Sequence, residues 1–183
     1  MGDTPNLANN YLEVLTAEWR KLKGLADRAL AQVADADLFT TLDPESNSLA
    51  VLLKHLGGNL RSRWTDFLTS DGEKPDRLRD TEFEIPPGTT REDLLAIWEL
   101  GWSRLFGTLE KLTAADLEKT VTIRSEPHSV PQALERSYGH TAYHVGQIVL
   151  LAKHTRSTAW QNLSVPRGGS AAFLQKMQEQ FEK

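Results

Sequence analysis

Ser129-Val-Pro-Gln-Ala-Leu-Glu-Arg-Ser-Tyr-Gly-His140-Thr-Ala-Tyr-His144-Val-Gly-Gln-Ile-Val-Leu-Leu-Ala-Lys153 is the stretch on which the fold turns. Ser129 with Gln132 has the spacing of a capping box, and Pro131 falls in the first turn, where its missing N–H is no loss. A helix therefore begins here and runs to about Lys153. From Thr141 to Ala152 it carries no permanent charge, and a helix apolar nearly all round is expected to be buried. His140 immediately precedes that run and His144 lies within it. Residues four apart sit about 40° apart around a helix and roughly 6 Å apart along it. Two imidazoles so placed can converge on one ion at metal–nitrogen distances of about 2.0–2.1 Å. The spacing by itself leaves open that they are core histidines satisfied by local hydrogen bonds. No Glu follows His140, so the H-E-x-x-H signature is absent and a metalloprotease is disfavoured.

Working outward, three further segments carry helical periodicity. The first covers about Asn6 to Val33, with Tyr11, Leu15, Trp19, Leu22, Ala26 and Ala29 on one face. The second starts at a cap on Asn47 or Ser48, presents Leu49, Leu52, Leu56, Leu60, Trp64 and Phe67, and stops near Thr69. A charged loop, Ser70 to Thr89, follows; a loop of that length inside a domain is more often functional or interfacial than inert. Thr90 and Asp93 then open a third helix carrying Leu94, Ile97, Trp98, Leu105 and Leu112. Alternating β-branched and polar residues from Lys119 to Val130, around a Ser125-Glu126-Pro127 turn, predict a short β-hairpin before the fourth helix. A short amphipathic piece, Ala171 to Phe181, ends the chain. The expected fold is all-α, a four-helix bundle in a single domain over residues 1–183.

Composition excludes several classes. Twenty-one basic and twenty-five acidic side chains leave a net charge of −4, no footprint for a polyanion, so no nucleic-acid partner is expected. Met1 to Asn10 lacks the pattern of a secretory signal, and the apolar run Val145 to Ala152 is too short to span a bilayer, so no membrane partner is expected and the protein is read as cytoplasmic. There is no cysteine. A metal must be held by nitrogen or oxygen, and thiol chemistry needs a thiol from outside.

His55 lies among Leu52, Leu53 and Leu56 at the edge of the second helix's apolar face. Bundles build metal sites by setting one helix's inward histidine against a pair on another. Three neutral imidazoles leave a coordination position open, the ligand count of a catalytic rather than a structural site. Zinc and nickel both suit imidazole. His154 lies about 15 Å along the axis from His144 and is assigned to the helix C-terminus; His128 reads as surface. Gln147, three residues after His144, is placed either against a ligand imidazole or metal-bound water, or in a helix–helix contact. Asn59 and Arg63 continue from His55 as a polar stripe; Arg63 either binds an anion at the pocket or, the favoured reading, pairs with Asp66 or Asp71. Tyr143 points to a different side. The tryptophans at 19, 64, 98, 102 and 160 read as core or interface.

Two motifs carry a family resemblance. Ser46-Asn-Ser-Leu-Ala-Val-Leu-Leu-Lys-His55-Leu-Gly-Gly-Asn-Leu-Arg-Ser-Arg-Trp64-Thr-Asp-Phe67-Leu-Thr-Ser-Asp71-Gly-Glu-Lys74, running on to Arg79-Asp-Thr-Glu-Phe83, and His140-Thr-Ala-Tyr-His144-Val-Gly-Gln147-Ile resemble the DinB-like superfamily, also called the damage-inducible or YfiT-type fold. The chain looks most like a branch of unassigned function. The resemblance implies one divalent ion, zinc or nickel, on His55, His140 and His144, and a homodimer. Characterised members include a mycothiol-dependent maleylpyruvate isomerase and bacillithiol S-transferases. The expected function is accordingly a metal-dependent enzyme, such as a thiol S-transferase or a related hydrolase or isomerase with a small-molecule thiol as cosubstrate. The alternative is a non-catalytic metal-binding stress-response or interaction module.

Overall fold

The computed structural model describes residues 7–182. It is mostly helical, with α1 (Leu7–Leu30), α2 (Leu49–Trp64), α3 (Arg91–Leu109), α4 (Val130–Arg156) and α5 (Ser170–Phe181), and a two-stranded antiparallel hairpin, β1 (Thr120–Ile123) and β2 (Glu126–Ser129). α2, α3 and α4 begin where side chains take up free N–H groups. Ser48 Oγ accepts from the Val51 N–H at the start of α2, and full capping boxes open α3 (Thr90 with Asp93) and α4 (Ser129 with Gln132). The expected start at Asn6 lies outside the described residues.

α2 packs along α3 and α1 along α4, with α2 also meeting α4. Between them lie Trp19, Trp64, Trp98 and Trp102, all essentially inaccessible, with the leucines of α2 and α3. Trp19 makes edge-to-face contacts with Trp64, Trp102 and Tyr138 at ring separations of 6.2, 5.8 and 5.2 Å. Such geometry suits the ring quadrupoles. These tryptophans are core. α5 buries none of its residues and exposes Phe173, Leu174 and Phe181. Among the described residues no helix is long and apolar enough to cross a membrane.

α2 and α3 approach closely because glycines face each other where they cross. A Cβ on Gly57 would lie 2.5 Å from the Ile97 carbonyl oxygen, and one on Gly101 would lie 2.6 Å from the Gly57 carbonyl oxygen. Both obstacles are backbone, which cannot swing aside.

Boundaries differ from expectation: α1 and α3 stop at Leu30 and Leu109, short of Val33 and Leu112, and two further differences have a visible cause. α2 ends at Trp64 rather than near Thr69, because Asp66 adopts a left-handed conformation (φ 48°) and its carbonyl accepts the N–H groups of Thr69 and Ser70. The hairpin turns at Arg124-Ser125, both left-handed (φ 56° and 65°), while Glu126 and Pro127 belong to β2. Positive φ at both central residues matches the strand twist in a two-residue turn, but neither residue has glycine's freedom there. The Asp71 carboxylate compensates, accepting the N–H of Arg124 at 2.8 Å and of Ser125 at 2.7 Å.

The crossing gives a test. Gly57→Ala or Gly101→Ala should destabilise the protein by about 1–3 kcal/mol through overpacking. Gly107→Ala, also in α3 but with nothing near its absent Cβ, should stabilise it by about 0.5–1 kcal/mol. Thermal midpoints that move in the same direction for Gly101→Ala and Gly107→Ala contradict the close crossing.

Candidate metal centre

His55 comes from the middle of α2, and His140 and His144 from successive turns of α4. Where α2 meets α4 the three rings gather, with centroids 5.3 Å (His55–His140), 5.0 Å (His55–His144) and 4.7 Å (His140–His144) apart. One ligating nitrogen from each lies within 4.8 Å of the others, an arrangement that could hold a metal ion. His55 Nε2 and His140 Nε2 are 3.3 Å apart. For metal–nitrogen bonds of about 2.0–2.1 Å the edge of a tetrahedron is about 3.3–3.4 Å, so this pair already has a tetrahedral spacing.

The other ring nitrogens show which way the lone pairs face. His55 Nδ1 lies 2.9 Å from Glu82 Oε2. A carboxylate only accepts, so Nδ1 carries the proton and Nε2 presents its lone pair inward. His144 Nδ1 lies 2.7 Å from Gln147 Oε1, with the same outcome. Of the two readings of Gln147, its carbonyl thus meets a histidine of the cluster. His140 Nδ1 is buried without a hydrogen-bond partner.

Glu82 and its partner Arg77 were not singled out in the sequence. Arg77 Nε donates to Glu82 Oε1 and Arg77 Nη2 to Glu82 Oε2, both at 2.8 Å. Burial works against the Glu82 charge, but the hydrogen bonds of Arg77 and His55 and then their charges outweigh it and hold the carboxyl below its ordinary range. Glu82 lies in a one-turn 3-10 segment, Arg79–Phe83, within the long loop. A Cβ at Gly58 would run into its carboxylate. The pair Gly57-Gly58 inside an otherwise regular helix is the sequence signal for this close approach.

Asn59 and Arg63 are both buried and line, with the three histidines, a cavity of about 330 Å³. Larger cavities elsewhere, one of about 700 Å³ beside Gln32 and Asn162, are lined by no histidine. Arg63 pairs with Glu73 at 3.2 Å, not with Asp66 or Asp71. Asp66 terminates α2 and is exposed, and Asp71 is committed to the hairpin turn. Burial pushes Arg63 down to about 10; Glu73 opposes this, and Arg77, Arg136 and Arg124 add to it. Tyr143 is 63% exposed, away from the cavity. His154 sits exposed in the last turn of α4. His128, read as surface, has a side chain only 11% exposed, with Nδ1 3.0 Å from the Glu126 carbonyl oxygen. The short strand on which it lies packs against α4, which draws the ring inward from the surface.

Burial, reinforced by His144 and His55 and then by Arg136 and Arg77, pushes the His140 pKa from 6.5 down to about 3. Burial likewise lowers His144, against the opposing Gln147 hydrogen bond. The unfolded chain takes up a proton at His140 near 6.5 while the folded chain resists until about 3. The stabilisation is therefore complete above pH 6.5 and is lost as pH falls toward 3. Glu82, with its lowered carboxyl, contributes with the same sign. In metal-free protein, denaturant-unfolding free energies should fall through this window, and His140→Leu should flatten the fall. An unchanged slope in His140→Leu rules out the buried imidazole as its source.

Comparison with known proteins adds a family. No curated protein and no solved structure matches the chain. Residues 6–169, which include the three histidines, Glu82 and Gln147, match one protein family. On that match the chain belongs to the family described as "Protein of unknown function (DUF1572)".

Proposed function

We propose that this is a divalent-metal-binding protein of the DinB-like four-helix-bundle type, holding zinc or nickel on His55, His140 and His144 and using it in a metal-dependent reaction. The observation that carries the reading is the tautomer control. Glu82 and Gln147 each hold a proton on Nδ1 of a clustered histidine, leaving Nε2 free toward a common centre. Carboxylate- and amide-backed imidazoles are the usual support of metal-bound histidine. The resemblance in the His55 and His140–Gln147 motifs supports the DinB-like assignment, and so does the pairing of α1 with α4 and α2 with α3.

A bound divalent ion supplies Lewis acidity, lowering the pKa of a thiol or water at its open position. The chain's own residues prepare that position. Burial keeps the His140 and His144 imidazoles neutral and able to ligate. Among the described residues no carboxylate joins the cluster as a fourth ligand, and the adjoining cavity gives access. With no cysteine in the chain, a thiol nucleophile comes as a cosubstrate, as for an S-transferase. The rival is a metal-binding module without catalysis.

Metal analysis of untagged protein tests the centre. His55→Ala, His140→Ala and His144→Ala should each fall well below stoichiometric metal, and Glu82→Gln or Gln147→Ala should weaken binding about 10–100-fold. Full metal in all three histidine variants refutes the proposal. A cobalt-substituted sample should change its absorption spectrum on adding a small thiol; an indifferent spectrum favours the non-catalytic module.

A homodimer is also proposed. The core tryptophans give it no support, but Tyr143 and Leu150 on the outer face of α4 and nearby Leu42 are exposed. Sedimentation equilibrium should return twice the chain mass, reduced by Leu150→Glu; a monomer at every concentration removes the proposal.

A further inference from the structure

The cavity that opens onto the three histidines is edged by arginines from four separate elements. They are Arg63 on α2, Arg79 in the 3-10 turn, Arg124 at the hairpin turn and Arg136 on α4. Among the described residues no Asp or Glu lines it. The acids behind it are already shared. Glu73 Oε2 takes Arg63 at 3.2 Å, Arg77 at 3.2 Å and Arg124 at 3.1 Å, and Glu82 is divided between Arg77 and His55.

The cationic side therefore has unspent capacity. Arg63 is 6% exposed, yet its Nη1 is buried with no hydrogen-bond partner. Arg136 makes no hydrogen bond or ion pair among the described residues. Arg79 meets only its exposed neighbour Asp80, at 3.3 Å, and lies over the Phe83 ring. The bland account makes these arginines a solvated rim. It does not explain why a nine-tenths-buried guanidinium keeps an unmatched donor, nor why four cations from distant segments face one concavity without an acid. Arg79, Arg124 and Arg136 are solvated at the mouth, but Arg63 is buried, and a buried cation facing three others is unfavourable unless an anion completes the group. Guanidinium forks match carboxylate and phosphate oxygens.

We propose that this cavity binds a small multivalent anion, its charge on carboxylate or phosphate groups, held by Arg63, Arg79, Arg124 and Arg136 with its remaining part toward the histidines. At about 330 Å³ the cavity is at the small end of ligand sites, which run from about 300 to 1,000 Å³, so the ligand is metabolite-sized. The proposal deepens the metal-site reading, because both sets of residues line one cavity, but the arginine grip does not depend on the ion.

Calorimetric titration of the purified protein and of its metal-depleted form with inorganic phosphate, malonate and neutral malonamide tests it. Phosphate or malonate should bind saturably to both forms, more weakly with added salt, and malonamide should not; the tighter of the two anions identifies the class. The double variant Arg79→Gln/Arg136→Gln changes exposed residues only, and its thermal midpoint shows that it folds. It should bind the anion about tenfold or more weakly, as loss of charge-assisted hydrogen bonds demands. Equal affinity in that variant, equal binding of malonamide, or no saturable binding of either anion overturns the proposal. His140→Ala separates the two readings. If it loses metal but keeps the anion, both stand; if no variant loses metal while the anion still binds, only the metal centre fails. Anion binding seen solely with metal present overturns the arginine site and leaves the metal centre standing.

Discussion

Glu82 is buried with its two oxygens divided between the Arg77 guanidinium and His55 Nδ1, and the arrangement of the cluster depends on that division. A buried ion pair brings little net stability, because desolvation cancels much of the attraction, but removing one partner strands the other and costs about 3–5 kcal/mol. The Glu82–Arg77 pair is thus better understood as a positional device than as a source of stability. It draws the long loop onto α2, where Gly58 leaves room, and it decides which nitrogen of His55 carries the proton.

The remaining histidines follow a different logic. Between Thr141 and Ala152 α4 offers its surroundings no charge, so imidazolium there would be unsolvated and the neutral ring prevails. Apolar packing accordingly does chemical work: it keeps lone pairs available that solvent would protonate. Basic residues around the cluster push the same way, Arg136 and Arg77 both disfavouring a charged His140.

Much of this was legible from local patterns. The capping box at Ser129, the helix start at Thr90 and Asp93, the cap at Asn47 or Ser48 and the β-branched alternation before α4 are short-range signals, and the elements they announce are present. The convergence of His55 with His140 and His144 could be read because a buried, apolar helix makes its polar exceptions conspicuous. Glu82 and Arg77 escaped notice because charged loop residues ordinarily face water; only the paired glycines in α2 hinted that something polar presses close. The partner of Arg63 was misassigned for a related reason. The nearer acids had backbone duties, Asp71 at the hairpin turn and Asp66 beside the helix end, leaving Glu73, whose role no spacing rule reveals.

The pairing of the first helix with the fourth bears on when the three histidines meet. The Tyr11 hydroxyl donates to Glu135 across 124 residues, whereas α2 and α3 are separated by a single loop. Contacts between near segments close cheaply and distant ones late, since loop closure must be met before they reward it. His55 and His140 are 85 residues apart, so they meet only once α4 is docked against α2. An interaction that forms after the rate-limiting ascent leaves the folding rate alone and slows the return. An ion held there after that step would lengthen the lifetime of the native state without hastening its formation.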